Sequence, residues 1–333
     1  MRGISRNGML TMAQAGVASS SAPVTLTVVI VSYNTRIMTL KALETLYQHT
    51  HATRFDCVVL DNASSDGSAD AIASAFPQVQ LIRAPQNLGF ARGNNLAALD
   101  CASDYVLLLN PDTELQDEAI DRLIDFARLY PKAGIWGGRT VFANGALNIA
   151  SCWARPTLVS LLFKATGVST ALTKNRFFNP EAYGGWARDT VRQVDIVVGC
   201  FLLIEASLWR RLGGFSPKYF MYGEDADLCL RARAFGYHPM ITPNAQIVHH
   251  VGASTSRTEA KAIAVMTSRA SLIRDHWPKS HRGAGIFLMW LWSATRYLAT
   301  RPLIASNRAD RRARAAHWAA VWTARKLWLQ GYD

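Results

Sequence analysis

The sequence has no apolar run long enough to cross a bilayer. A spanning helix needs about 20 apolar residues, and the longest uncharged apolar stretch, GAGIFLMWLWSAT between Arg282 and Arg296, has thirteen. With the following RYLATRPLIA it can lie in an interface or form a core helix. The N-terminus, MRGISRNGMLTMAQAGVASSSAP, lacks the apolar segment of a secretory signal and reads as a loose leader over residues 1–23, with Met9 and Met12 as alternative starts. Cysteine is scarce: Cys57, Cys101, Cys152, Cys200 and Cys229 are scattered, odd in number and without a C-x-x-C pair. That argues against a disulfide scaffold and a cysteine-based zinc site, and reads as small core residues in a reducing compartment. Neither a Walker A loop nor a G-x-G-x-x-G fingerprint occurs.

Half of the 333 residues are hydrophobic, enough for one large domain with appendages or for two domains. Acids are outnumbered, 24 against 36 basic residues, for a net charge of +12. Such a balance fits nucleic acid, an anionic membrane surface or phosphorylated substrates. Residues 271–333 hold eleven Lys/Arg against three Asp/Glu, and six of the ten tryptophans. Basic residues interleaved with Trp suit a membrane interface; a solvated helical face with Trp used for packing is the other reading. No nucleic-acid-binding motif occurs, so nucleic acid is not expected as a partner.

LTVVIVSYN (Leu26 to Asn34) is a β-branched run ending in polar residues, hence a buried parallel strand. FDCVVLD, VQLIRAP and YVLLLN read as further strands, alternating with helices over TLKALETLYQHT, SADAIASAF (capped by Ser68), GNNLAALDCA and QDEAIDRLIDFARLY. The last is amphipathic, with Ile120, Leu123, Ile124 and Ala127 on one face. This alternation predicts a doubly wound α/β sheet, whose ligands bind outside the carboxyl ends of the strands. Ser32-Tyr33-Asn34, Asp61-Asn62 and Asn110-Pro111-Asp112 each follow a strand, so three polar clusters converge on one edge. Later, VDIVVGCFLLIEASLW reads as strand, turn at Gly199, strand and short helix, and GEDADLCLRARAFGY as a helix with Gly236 just past its end. From about Ala260 the chain reads as helical.

Several of these clusters can carry chemistry. Asp112, after a proline that fixes the turn, can hold a hard divalent cation beside a diphosphate or simply shape an Asx turn. Asp61 can accept from a nucleotide donor; Asp66 in SSDGS can do so or shape the turn. Arg92 in NLGFARGNN can meet phosphate at a helix N-terminus. Glu224, Asp225 and Asp227 crowd one first helical turn beside Phe220 and Tyr222. Dipole complementarity accounts for Glu224, Asp225 is a general-base candidate, and Asp227 can pair with Arg231 four residues on. His249 in IVHHVGAST is a structural hydrogen-bonder or a metal or phosphate contact, in a loop with Gly252 and Ser254 that could close the diphosphate end of the cleft.

In this order, VVIVSYN, VVLDNASSDGS, NLGFARGNN, LLLNPDTEL, VVGCFLLIEASLWRRLGGFSPKYFMYGEDADLCLRARAFGY and IVHHVGAST resemble family 2 glycosyltransferases, in particular the bacterial rhamnosyltransferase-like branch. The resemblance covers roughly residues 24–258 and implies a GT-A fold, a Rossmann-like, mostly parallel sheet flanked by helices. Residues 259–333 then form a basic, Trp-rich helical extension. By this resemblance Ser32, Tyr33, Asn34, Asp61, Asn87, Gly89, Arg92 and Asn110 bind the nucleotide-sugar donor. Asp112, with His249 near the diphosphate, holds a divalent cation (Mg²⁺ or Mn²⁺); Asp225 is the base; Glu224 and Tyr222 lie on the acceptor side. The wider family's Asp-x-Asp motif is here Asn110-Pro111-Asp112, with one carboxylate fewer.

The implied reaction is a single displacement with inversion, moving one sugar, best matched by rhamnose from dTDP-rhamnose, to a hydroxyl of a lipid-linked or saccharide acceptor in bacterial surface glycan synthesis. No Q-x-x-R-W sequence occurs, which argues against a processive synthase. The basic tail implies a cytoplasmic protein, peripheral on the inner face of the plasma membrane. Alternatives are a UDP- or GDP-sugar donor, a non-catalytic nucleotide-sugar-binding or assembly protein, and a scaffold whose tail carries the function.

Overall fold

A computed structural model describes residues 25–250 and 258–332. The leader and the expected loop contacts of Gly252 and Ser254 lie outside the described residues. The strands are β1 (Thr25–Ser32), β2 (Arg54–Asp61), β3 (Gln80–Arg83), β4 (Tyr105–Leu109), β5 (Thr113–Leu115), β6 (Ile135–Val141), β7 (Leu147–Asn148), β8 (Cys152–Trp153), β9 (Arg192–Gln193), β10 (Ile196–Val197), β11 (Phe201–Glu205) and β12 (Met240–His249). The helices are α1 (Arg36–His49), α2 (Ser68–Ala75), α3 (Gly89–Ala97), α4 (Ala119–Leu129), α5 (Leu158–Thr166), α6 (Val168–Ala171), α7 (Ala206–Leu212), α8 (Glu224–Ala234), α9 (Thr258–His276), α10 (Lys279–Thr300), α11 (Ala309–Thr323) and α12 (Arg325–Trp328).

The main sheet runs β3-β2-β1-β4-β11-β6-β12-β5, with β7 and β9 attached at β6 and β12. β1 pairs in parallel with both β2 and β4, so its apolar run is covered on both faces. Val29, Val31, Leu60 and Leu108 pack into one core layer, while Val28, Ile30, Val59 and Leu107 pack into the other. The amphipathic stripe of α4 is buried as its periodicity predicts, with Ile120, Leu123, Ile124 and Ala127 inside.

Two features depart from simple alternation. β11 runs antiparallel to both β4 and β6. It starts at the carboxyl end of β4, where Phe201 pairs with Leu109 and the Asn110 N–H donates to the Cys200 carbonyl at 3.1 Å. The preceding Gly199 turn is thereby set at the ligand-binding edge, and of VDIVV only Ile196–Val197 is strand. The chain leaving β4 turns at residues 110–112 and re-enters the sheet at its far edge as β5, antiparallel to β12. Thr113 then pairs with His249, and the His250 N–H donates to the Asp112 carbonyl at 2.9 Å.

Two helix starts also differ. α2 is not capped by Ser68, because the Asp66 carboxylate takes both the Ser68 N–H and hydroxyl. α3 begins at Gly89, four residues before the expected GNN start, because the Asn87 side chain accepts from the Gly89 N–H at 2.8 Å. Beyond α8 the C-terminal helices form their own core of Met266, Ala270, Ile273, Met289, Val321 and Trp328, closed by Leu161 of α5. Among the described residues no helix is long and apolar enough to cross a membrane.

Candidate active site

A cleft of about 490 Å³ opens at the carboxyl edge of β1, β2 and β4. Of the residues singled out from the sequence, it gathers Tyr33, Asn87, Asn110, Asp112, Tyr222, Glu224, Asp225 and His249 in its lining. Ser32, Asn34, Asp61, Gly89 and Arg92 are not part of that lining.

The outliers shape the edge in identifiable ways. Ser32 is buried, its hydroxyl bonded to those of Thr35 and Thr39. Asn34 takes a left-handed φ of 52° and accepts from the Ser65 N–H at 2.8 Å, tying the β1 loop to the β2 loop. Asp61 is buried; one carboxylate oxygen accepts from Ser64 N–H and the other has no partner. Gly89 has φ of 78°, and a Cβ there would meet the Phe220 carbonyl at 2.5 Å, so only glycine lets this loop dock. Arg92 is exposed and reaches the Pro217 carbonyl at 3.4 Å, away from the cleft. The start of α3 is already satisfied by Asn87, which also accepts from Asn62 Nδ2 at 3.0 Å. Asn62, expected with Asp61 in a strand-end polar cluster but given no role of its own, holds this corner by accepting from Leu88 N–H at 2.7 Å and lines the cleft itself. Its position directly after β2 was the available signal.

Asp112 and His249 meet because β5 pairs with β12. His249 Nε2 lies 3.3 Å from Asp112 Oδ1, and both residues are buried. Burial lowers the imidazole's proton affinity, but Cys200 and Asp112 beside it more than offset this, and its pKa is pushed up to about 10. Two buried polar atoms here lack partners, Asn110 Oδ1 and His249 Nδ1. Among the described residues no cluster of three or more His, Cys, Asp or Glu forms a metal cage. The Asp112 carboxylate and the unpartnered Asn110 Oδ1 fit an ion such as Mg²⁺, which takes one or two protein carboxylates and completes its shell with phosphate and water; His249, its pKa raised, would have to give up its proton to join them.

The three acids of α8 part company. Asp225 is turned into the cleft, its carboxylate accepting from Gly199 N–H at 3.1 Å and Ala226 N–H at 2.7 Å. Burial raises its pKa against those two bonds, which makes it a stronger base than a free carboxylate. Burial and then the Asp225 charge push Glu224 well up, and one of its oxygens has no partner. Asp227 faces away. Burial works to raise it, but His276 at 2.9 Å and Arg231 at 2.8 Å hold it below the usual carboxylate range. The i, i+4 pair with Arg231 is thus formed, and Arg231 also ties down the Leu212 and Gly214 carbonyls.

The opposite wall was not legible beforehand. It comes from Trp153 and Ala154, from Glu181, and from α9 through Lys261, Ser268 and Arg269. The helical C-terminal region therefore contributes directly to the cleft. Apart from Trp153 and Ala154, at the end of the two-residue β8, these residues lie in no strand-end cluster, and nothing in their local sequence marks them.

A family model described as Glycosyl transferase family 2 matches residues 27–184, ending before Gly199, Asp225 and His249. Over 226 residues the chain is 28% identical to the N-acetylglucosaminyl-diphospho-decaprenol L-rhamnosyltransferase of Mycobacterium tuberculosis, covering 62% of this chain and 70% of that protein. It is 28% identical over 171 residues to the rhamnosyltransferase WbbL of Escherichia coli, covering 49% of this chain and 61% of that one. The mannosyltransferase PcManGT from Pyrobaculum calidifontis, solved in complex with GDP-Man and Mn²⁺, superposes with a TM-score of 0.57 at 18% identity, over 92% of this chain and 88% of its own. At that identity the likeness shows a shared fold.

Proposed function

Residues 27–184 carry a glycosyl transferase family 2 domain of the rhamnosyltransferase-like branch on a GT-A fold, and from that premise we propose an inverting transferase. It moves one sugar, with rhamnose from dTDP-rhamnose the best match, to a hydroxyl of a lipid-linked saccharide. The observation that carries this reading is the shared cleft: Asp225, held by the Gly199 N–H, and Asp112, paired with His249, line the same cavity.

Tyr33 and Asn87 bind the nucleotide at the β1–β2 edge. Asp112, with His249 and the unpartnered Asn110 Oδ1 beside it, would hold a divalent cation, which would supply positive charge against the donor diphosphate. The Pyrobaculum mannosyltransferase of the same fold is solved with GDP-Man and Mn²⁺, which supports a divalent cation as cofactor. Asp225 takes the proton of the acceptor hydroxyl, whose oxygen attacks the anomeric carbon as the nucleoside diphosphate leaves. One base and one in-line attack invert the configuration. Holding donor and acceptor together supplies much of the remaining barrier reduction.

The acceptor's lipid is met at the inner membrane face. Exposed Phe287, Trp290, Leu298 and Ile304 on α10 and the turn after it, with exposed Arg308, Arg311 and Arg312 following, support this. Flotation with anionic and with neutral vesicles at moderate salt tests it, and failure to bind the anionic vesicles removes it.

The deciding experiment is a thermal-shift panel of TDP, UDP, GDP and their sugars, each with Mg²⁺, Mn²⁺ or chelator. A metal-dependent rise with one nucleotide, absent in Asp112→Asn, identifies the donor class; UDP or GDP in place of TDP redirects the choice of sugar. NMR of the product's anomeric centre then tests inversion. No rise with any nucleotide, from folded protein, removes the transferase reading.

A further inference from the structure

The cleft wall built by α9 carries more positive than negative charge. α9 brings Lys261, Val265, Ser268 and Arg269 to the cavity, at i, i+4, i+7 and i+8, so they share one helical face. From Lys261 to Arg269 the helix rises about 12 Å. Gly223, the residue before α8, has φ of 91°, and a Cβ there would run into the Ser268 hydroxyl. α9 is therefore docked directly on the loop that leads into Asp225.

The charges on this wall are unequally matched. Arg269 and Lys164 share one carboxylate: Glu181 Oε1 accepts from the Arg269 guanidinium, and the Lys164 ammonium stands 3.6 Å from Oε2. Burial works to protonate Glu181, but Arg269 and Lys164 hold its pKa below the usual carboxylate range. Glu181 is 4% exposed and its Oε2 is covered, so it serves as their counter-ion. Arg188, 1% exposed, fixes this segment, donating to the carbonyls of Ile149 and Cys152 and to those of Ala182 and Trp186, which follow Glu181. Burial draws the Lys164 pKa down against the pull of Glu181, and even a neutral Lys164 leaves Lys261 and Arg269 in excess of that carboxylate.

Lys261 has no carboxylate partner among the described residues; its ammonium lies 5.6 Å from the Tyr222 ring centroid. Glu224 is pushed well up by burial and then by Asp225, and Asp225 itself accepts from the Gly199 and Ala226 N–H groups, so neither acid pairs with Lys261. Arg269 makes one hydrogen bond among the described residues, to Glu181, and a guanidinium has five N–H groups to offer. Cationic donors with capacity to spare, next to the loop that carries the base, suit an anion on the acceptor. A lipid-linked saccharide offers such an anion where phosphate joins sugar to lipid.

We propose that Lys261 and Arg269 bind the diphosphate that joins the acceptor saccharide to its lipid. The proposal deepens the transferase reading of the cleft and rests on it. The donor diphosphate is met in that reading by the cation at Asp112, which leaves the α9 charges for a second anion. Two cations about two helical turns apart suit two linked phosphates better than one.

The test uses the full chain. Calorimetry measures binding of short-chain alkyl diphospho-sugars (glucose, galactose and N-acetylglucosamine), of the matching alkyl glycosides without phosphate, and of inorganic diphosphate. Thermal shift by nucleoside diphosphates with Mg²⁺ is measured in parallel. At least one diphospho-sugar is expected to bind about tenfold or more tighter than its phosphate-free counterpart. Lys261→Gln and Arg269→Gln each remove most of that preference, Lys261→Arg keeps it, and the nucleotide shift persists throughout. If Arg269→Gln fails to fold, Lys261→Gln decides alone. The proposal is overturned by the absence of any preference for the diphosphate linkage, or by a preference unchanged in Lys261→Gln. It is overturned too if inorganic diphosphate binds as tightly as the lipid-linked probes, or if Lys261→Gln abolishes the nucleotide shift, which would assign these cations to the donor. A preference lost in Lys261→Gln, from a parent protein without any nucleotide response, keeps the anion subsite and removes the transferase reading instead.

Discussion

Between β1 and β4 the chain builds its side of the cleft from short units, each strand delivering polar residues at its own carboxyl end. Across the cleft, Trp153, Glu181, Gly199 and Arg269 arrive from four separate stretches. The first side is held by neutral side-chain pairings between neighbouring loops, such as Asn62 with Asn87 and Asn34 with Ser65. The second is held by buried charge: Arg188 on four carbonyls, Glu181 between Arg269 and Lys164, Arg231 and His276 on Asp227. A wall made of repeated β–α units can be specified piece by piece. One made of distant segments needs strong polar links to hold its geometry, because removing one partner leaves a buried group unsatisfied.

Asp225 sits at the seam, on α8 but fixed by Gly199, so its replacement tests whether the two walls act together. Asp225→Asn is expected to lower kcat by about 10²–10⁴-fold with nucleotide binding intact. A loss under about tenfold, far short of general-base range, would put the base elsewhere. Arg188→Ala tests the charged wall: four carbonyls lose their donor, and stability falls by about 3 kcal/mol, read from urea midpoints. Midpoints within error of the parent would mean that the wall does not depend on this cation. Gly89→Ala tests the local wall by forcing a Cβ against the Phe220 carbonyl at positive φ. It should cost about 1–3 kcal/mol, and a neutral result would show that the loop yields.

The smallest effect concerns acid stability. The Asp227 pKa is depressed, so its contribution is fully present above the unfolded value of about 3.9 and fades as pH falls through the folded value. Glu224 and Asp225 act in the opposite sense, since their raised pKa values make protonation favour the native state. Asp227→Asn should therefore flatten the loss of stability below about pH 4, measured by urea midpoints across pH. A parent and variant with parallel profiles would show that His276 and Arg231 do not stabilise the charged form.

Much of the first wall could be read in advance. The apolar runs of β1, β2 and β4, the turn residues after them and the stripe of α4 announce a layered sheet with polar groups at one edge, because burial periodicity and turn chemistry act over a few residues. The pairing of Asp112 with His249 could not be read so. It needs β5 to cross to the far edge of the sheet, and a three-residue strand leaves no periodic trace. Arg92 shows the converse, a basic residue at a helix start whose N-terminus is already satisfied by Asn87.

Of the acids in GEDAD, the sequence could place all three in one helical turn and pair Asp227 with Arg231, since that spacing is a property of the helix alone. That Asp225 points at Gly199 while Asp227 meets His276 was decided by the antiparallel entry of β11 and the docking of α9. The same is true of Glu181, an ordinary surface-type residue in sequence that becomes a buried cleft carboxylate once α5 and α9 close around it. Local patterns specify which faces are buried; the electrostatic character of a carboxyl depends on the groups packed against it, and these come from anywhere along the chain.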